Sequence, residues 1–356
     1  MNDMKPLWTP SQASIDAANM TRFIEQVNRQ YELDISDYDA LYQWSIDDKE
    51  NFWSEVWDFC GVIGDKGERI LVDGDRIEQA QWFPDATLNF AENLLRSRSD
   101  DTAIYFRAED QVDYSLTHAR LYQQVASLAA WLKAQGLRPG DRVAAYLPNM
   151  PEAVVAMLAA TSLGAVWTST SPDFGVDSVV DRFGQTEPRF LFTVDGYFYN
   201  GKSHDLNVKT RDICAQLPSV EQVVQIRLAD FGNNIDAVDW SEIIADPVDS
   251  IDFVPRRFDD PLYVLYSSGT TGKPKCITHG IGGTLIQHLK EHMLQCAVHP
   301  GDRLFYFTTL GWMMWNWLVS GLASGAALVL YDGSPFYPDG EVLWRYACLL
   351  YTSPSP

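Results

Sequence analysis

The residues with the clearest capacity for chemistry are Tyr266-Ser-Ser-Gly-Thr-Thr-Gly-Lys-Pro-Lys275. The run follows an apolar stretch over 262–266 that reads as a strand. Gly269 and Gly272 let the backbone approach a ligand closely. Ser267, Ser268, Thr270 and Thr271 bring hydroxyl donors, and Lys273 and Lys275 bring positive charge. Successive backbone N–H groups in such a turn make an anion-binding concavity, which charge-assisted hydrogen bonds reinforce. The ligand that fits this chemistry is a polyphosphate. The run is not a Walker A loop, which needs glycine at 267 and serine or threonine at 274, where Ser267 and Pro274 stand. Pro274 also denies an immediate helix after Lys273. The turn is therefore expected to be a mobile clasp, without a strand–loop–helix cradle. A polar surface turn with no ligand is the plainer reading of the same residues.

Two shorter patterns compete. His288-Leu-Lys-Glu291-His292 fits H-x-x-E-H, which on a helix sets two imidazoles one turn apart as a zinc site requires. No third ligand is identifiable and no other protease feature accompanies it, so zinc hydrolysis is disfavoured. Asp173-Phe-Gly175 spells the magnesium tripeptide of protein kinases, but neither an H-R-D loop nor a V-A-I-K strand is present. A chain that only binds a nucleotide or a partner is the non-enzymatic alternative.

The elements that must position these residues are legible from periodicity. Residues 1–100 read as helices and irregular segments rich in tryptophan. Met20, Phe23, Ile24 and Val27 mark one amphipathic helix. Ser45 and Asp48 signal the start of another, which carries Phe52, Trp53, Val56 and Trp57 as a core stripe. From Thr102 strands and helices alternate: strands over 102–106, 142–147, 165–168 and 189–194, with helices over 121–132, 151–163 and 177–183. Gly136 ends the first of these helices. Such alternation predicts a mainly parallel sheet covered on both faces. An acidic segment over 229–260 reads as a surface excursion. A helix is expected near 284–297 and a last buried strand over 326–331. Trp315 and Trp317 read equally well as an ordinary buried aromatic strand.

Composition sets outer limits. The chain has 356 residues, 46% hydrophobic and 21% charged, which is globular composition with room for two or three domains. Its net charge of −21 lacks the lysine and arginine surplus that a phosphate-backbone binder needs, so no nucleic-acid partner and no acidic membrane surface are expected. The five cysteines form no C-x-x-C pair, which argues against a disulfide scaffold or zinc ribbon. Residues 153–167 and 318–331 are too short and too interrupted to span a membrane. The N-terminus does not read as a signal peptide, and a reducing cytoplasm fits best.

Residues 267–275 resemble the phosphate-binding signature of the acyl-adenylate-forming ligases, which include acyl-CoA synthetases. Trp44-Ser45, Phe52-Trp53, Trp82-Phe-Pro84 and Leu88-Asn-Phe-Ala-Glu-Asn93 are similar to the N-terminal segment of short-chain acyl-CoA synthetases. Ser171-Pro-Asp-Phe-Gly175, Asp181-Arg-Phe-Gly-Gln185, Gly311-Trp-Met-Met-Trp-Asn-Trp317 and Tyr331-Asp-Gly-Ser-Pro-Phe336 narrow the likeness to the acetoacetate–CoA ligase branch. The resemblance covers residues 6–347. It implies an α/β fold: the large N-terminal domain of an acyl-adenylate-forming ligase, with layered, mainly parallel sheets and flanking helices, truncated before the C-terminal domain. It divides the chain into an acetyl-CoA-synthetase-like segment over 1–100 and an incomplete ligase domain over 101–347.

The resemblance also implies a reaction. A carboxylate, here acetoacetate, attacks the α-phosphorus of MgATP, and the coenzyme A thiol then displaces AMP. Lys273, Thr270 and Thr271 would serve adenylation directly, within an ATP site made of Ser267, Ser268, Gly269, Gly272 and Lys275 as well. Lys202 would meet coenzyme A phosphates; Tyr199 stands where acetyl-CoA synthetases carry an arginine, and an exposed lysine without a ligand is the alternative. Trp312, Met313 and Met314 would wall the acyl pocket, with His279 beside it or merely packing. Magnesium would come with ATP, with no protein-held metal. Acetyl-, propionyl- or butyryl-CoA synthetase is the neighbouring alternative. The adenine, ribose and C-terminal-domain motifs of the family are not found in these 356 residues, so this chain alone is expected to be inactive and its strand edges unpaired.

Residues 348–356, Cys-Leu-Leu-Tyr-Thr-Ser-Pro-Ser-Pro, break the preceding helix pattern. They back-translate to TGT CTC TTA TAC ACA TCT CCG AGC CCA, which matches read-through into a transposon-type sequencing adapter. Native sequence is expected to end at Ala347. Re-amplifying the locus checks this: a gene that reads through these codons refutes it.

Overall fold

The computed structural model of the chain describes residues 8–267 and 272–351. The N-terminal part is built on helices α1 (Asn19–Tyr31), α2 (Tyr38–Asp47) and α3 (Lys49–Phe59). The aromatic stripe of α3 is core: Phe52 and Phe59 meet Phe23 of α1 edge-on, at 5.9 and 5.2 Å between ring centroids. Helix α3 starts on Asp48, not Ser45. The Asp48 carboxylate accepts the Asn51 N–H, while Ser45 lies inside α2. Because α2 runs to Asp47, only Asp48 is left as a non-helical residue ahead of α3, and an acidic cap also suits the helix dipole.

The segment Leu88–Asn93 is a structural lock. The buried Asn89 carboxamide donates to the carbonyls of Thr161, Ser162 and Val254, and Asn93 bonds both backbone groups of Ile63. Asn89 thereby adds bonds to carbonyls at a helix end and fastens the N-terminal part to the rest, while Asn93 ties that part together internally.

The remaining main elements follow in order. They are β1 (Thr102–Ala108), β2 (Val112–Thr117), α4 (His118–Ala134), β3 (Arg142–Tyr146), α5 (Pro151–Ser162), β4 (Val166–Thr170), α6 (Val176–Thr186) and β5 (Phe190–Val194). Then come the hairpin β6 (Gly196–Tyr199) and β7 (Lys202–Asp205), β8 (Gln222–Ile226), β9 (Val238–Asp239), α7 (Trp240–Ala245), β10 (Pro261–Ser267) and β11 (Lys275–Gly280). The last are α8 (Ile281–Lys290), β12 (Arg303–Phe305), α9 (Met313–Ser320), β13 (Ala327–Asp332) and α10 (Val342–Tyr351).

Among the described residues a seven-stranded sheet has the order β9-β8-β5-β3-β4-β10-β11, and a four-stranded sheet the order β12-β13-β1-β2. In the larger sheet every pair is parallel except β10–β11. The strand–helix alternation thus yields the α/β, mainly parallel architecture that it predicts. Helix α5 is buried almost all round, as its alanine- and valine-rich sequence requires.

Several local readings change. The acidic segment after 229 is more than a surface excursion, because β9 extends the large sheet and α7 buries Trp240 and Ile243. Trp315 and Trp317 lie on a helix, α9, rather than on a strand. Helix α8 begins at Ile281 and loosens into a π-turn at Glu291–Gln295. The pattern break at 348 does not stop α10, which continues to Tyr351. No helix of the described residues is long and apolar enough to cross a membrane.

The two sheets are joined through Asn149, just after β3. Its backbone N–H donates to Asp332 Oδ1 at 2.9 Å. Its side-chain Nδ2 reaches the carbonyls of Thr308 and Tyr331 at 3.3 and 3.4 Å, and its Oδ1 accepts the Trp315 indole N–H at 3.0 Å. Burial pushes the Asp332 carboxyl up to about 7, opposed by the Asn149 N–H and reinforced by Asp173 and Glu109. A carboxyl whose folded pKa lies above its unfolded value favours the folded state while protonated. Its stabilisation is full at low pH and is lost as pH rises from about 4 towards 7. Asp332→Asn keeps the acceptor without the charge. Relative to that variant, the wild type is expected to lose stability between about pH 4 and 7, at up to ~1.4 kcal/mol per pH unit. Denaturant unfolding at several pH values checks it; parallel curves for the two proteins contradict it.

Candidate functional site

Ser267 closes β10, and its strand partner across the hairpin is Lys275. Ser268, Gly269, Thr270 and Thr271, four members of the expected phosphate clasp, lie outside the described residues. Beyond them Gly272 has φ +137°, a left-handed conformation that favours glycine. After Pro274 the chain turns back as β11 instead of entering a helix, so the lysines sit at a hairpin tip. Lys273 and Lys275 are both exposed. Lys273 Nζ is 3.6 Å from Asp181 Oδ1, an exposed pair worth little and readily given up to an incoming anion.

Helix α6 supports the tip from below. Gln185 donates to the Pro274 carbonyl at 2.9 Å. Arg182 lies over the Phe174 ring at 4.6 Å and reaches the Tyr266 ring at 5.9 Å. The Tyr266 hydroxyl bonds Thr168 at 2.8 Å and Thr186 at 3.4 Å, and burial pushes its pKa up to about 12. Phe174 also packs so close to Gly311 that an added Cβ there would stand 3.4 Å from the ring. The segments around Phe174, Asp181–Gln185 and Gly311, far apart in the chain, therefore converge beside the hairpin.

At the other end of β11 lies a cavity of about 620 Å³. His279, Met313 and Met314 line it together, with His288, Glu291 and Trp317. His279 packs on Tyr263 at 5.1 Å, and burial lowers its pKa. Trp312 does not line the cavity; it precedes α9 at the N-cap position and is 67% exposed. Trp315 is core, stacked on Trp167 at 6.4 Å. Trp317 is shared between core and cavity, and its indole N–H donates to Glu291 Oε2 at 2.9 Å.

The H-x-x-E-H residues make protein contacts of their own. His288 Nδ1 meets Ser320 Oγ at 2.8 Å, and His292 Nε2 meets the Trp317 carbonyl at 2.9 Å. Among the described residues no three His, Cys, Asp or Glu side chains come together as a metal site.

Lys202 is exposed at the turn between β6 and β7. That hairpin is tied down by Glu109, whose buried carboxylate accepts the N–H groups of Asn200, Gly201 and Ser334 at 2.6, 2.8 and 2.9 Å. Sequence reading quoted Gln185 and Tyr266 inside longer runs without giving either a role, and did not place His288 beside the cavity. The first two act through tertiary neighbours. The third was legible only as a metal-like spacing.

The model described as AMP-binding enzyme matches residues 90–351, and that described as Acetyl-coenzyme A synthetase N-terminus matches 38–94. An acetoacetyl-coenzyme A synthetase of Rhizobium meliloti (strain 1021) is 49% identical over 352 residues, 98% of this chain and 54% of the relative. A malonamoyl-CoA synthetase of Penicillium aethiopicum is 43% identical over 90% of this chain and 47% of its own length. The solved acetoacetyl-CoA synthetase from Streptomyces lividans superposes with a TM-score of 0.92 at 46% identity, covering 97% of this chain and 54% of that one. The chain thus spans about half the length of the relatives it matches.

Proposed function

Since the chain belongs to the AMP-binding enzyme family, we propose that the protein carrying it is an acetoacetate–CoA ligase. It adenylates acetoacetate with ATP, then transfers the acyl group to coenzyme A, releasing pyrophosphate and AMP. The observation that carries this reading is the reach of β11. Lys275 stands at its start in the lysine-bearing turn, and His279 and Gly280 at its end border the methionine-walled cavity. A strand advances about 3.4 Å per residue, so a triphosphate and a short acid held at the two ends meet along it.

In this reading Lys273 and Lys275, with Ser267, Ser268, Gly269, Thr270, Thr271 and Gly272, hold the phosphates and offset the charge that builds on the leaving pyrophosphate. The acid's carboxylate oxygen bonds the α-phosphorus as the bond to pyrophosphate breaks. Magnesium comes with ATP, bound chiefly by its phosphates as this ion usually is. Met313 and Met314 limit chain length, His279 borders the acid, and Lys202 meets phosphates of coenzyme A. The acid is named from the acetoacetyl-CoA synthetases to which the chain is similar.

In a protein of the relatives' full length carrying this sequence, Lys273→Ala is expected to slow acetoacetate-dependent ATP–pyrophosphate exchange by about 10- to 100-fold; unchanged exchange rejects the assignment. Lys202→Glu is expected to raise the Michaelis constant for coenzyme A several-fold and leave that exchange intact. A constant that does not move removes Lys202 from the site.

A further inference from the structure

The cavity at the end of β11 is not uniformly apolar. Thr284, His288 and Glu291 project into it from one face of α8 and its π-turn, opposite Met313, Met314 and Trp317 of α9. Most of the polar capacity on the α8 side is already used. Gln287 donates to Glu291 Oε1 at 2.7 Å, and the other Glu291 oxygen takes the Trp317 indole N–H at 2.9 Å.

His288 is different. The ring is buried, and Nδ1 is anchored 2.8 Å from Ser320 Oγ. Nε2, on the far edge of the ring, has no hydrogen-bond partner among the described residues. Burial pushes the imidazole down to about 3, helped by His292 and His279, so at neutral pH the ring holds one proton and one lone pair. Ser320 Oγ also lies 2.9 Å from the Asn316 carbonyl. When Ser320 donates to that carbonyl, Nδ1–H donates to Ser320 and Nε2 is an acceptor. When the hydroxyl turns to Nδ1, Nε2–H is a donor. The pair can therefore present either polarity to whatever occupies the cavity.

We propose that His288, anchored by Ser320, is the specificity-determining residue of this cavity and hydrogen-bonds a second polar group on C3 of a short carboxylic acid. The proposal deepens the ligase reading and rests on it. A C3 carbonyl takes the Nε2–H form, and a C3 hydroxyl or amide N–H takes the lone-pair form. An acid with a plain alkyl chain leaves the ring nitrogen unpaired in a buried site, which is what makes a polar pocket reject an apolar isostere.

The test compares kcat/KM for acetoacetate and butyrate, which share a carbon skeleton and differ in the C3 oxygen, in a protein of the relatives' full length. His288→Leu is expected to lower the acetoacetate-to-butyrate ratio by about 10- to 100-fold. His288→Gln, which keeps a donor and an acceptor, is expected to restore part of the ratio. Equal losses for both acids, or an unchanged ratio, overturn the proposal while leaving the ligase reading standing. A wild type that supports pyrophosphate exchange with neither acid overturns both. Should His288→Leu fail to fold, Ser320→Ala gives the same readout without altering the ring: a several-fold drop in the ratio supports the proposal and an unchanged ratio overturns it.

Discussion

The carboxamide of Asn149 is the constraint on which the arrangement of both sheets depends. It sits at the C-terminal end of a central parallel strand, almost fully buried, with every polar group engaged. Its Nδ2 on the Tyr331 carbonyl, with the residue's own backbone N–H on Asp332, holds the end of β13, and its Oδ1 holds α9 through the Trp315 indole. Buried polar groups left unpaired cost about 1–3 kcal/mol each. A shift of one sheet against the other would break several such bonds at once. Helix α9 is thereby fixed above the large sheet, and Met313, Met314 and Trp317 are fixed with it.

The hairpin tip shows how an acidic protein can still present positive charge locally. The net charge is −21, yet two exposed lysines stand within three residues of each other on a turn. Their partner Asp181 is also solvent-facing, so the pair is easily exchanged. The support beneath is specific: the half-buried Tyr266 hydroxyl between two threonines, Arg182 on an aromatic face, and the exposed Gln185 on the Pro274 carbonyl. A rigid underside with a yielding charged surface suits a ligand that must bind, react and leave.

Much of this was legible in advance. Apolar patterning located β1, β3, β4, β5, β10 and β13 and helices α4, α5, α6 and α8, because each must bury a face. Where the reading failed, a competing local choice won. Asp48 displaced Ser45 as a cap because the preceding helix ran one turn further. Trp315 and Trp317, for which a buried aromatic strand was one reading, lie on a helix, because a short, mostly apolar run carries no period that tells the two apart. The apolar content of 229–260 was hidden among acidic neighbours, so Trp240 did not announce a core position.

The amino-acid order alone determined the class of the fold and the chemistry of residues 267–275, since glycine, hydroxyl and lysine side chains carry their capacities wherever they lie. It also marked His288 as unusual, though for a metal. Only the tertiary structure decided which groups meet. It set Gln185 and Tyr266 under the hairpin, Met313 and Met314 across from α8, and Ser320 against His288. Those contacts join residues tens of positions apart, and their geometry comes from sheet pairing and helix packing, which no local pattern encodes.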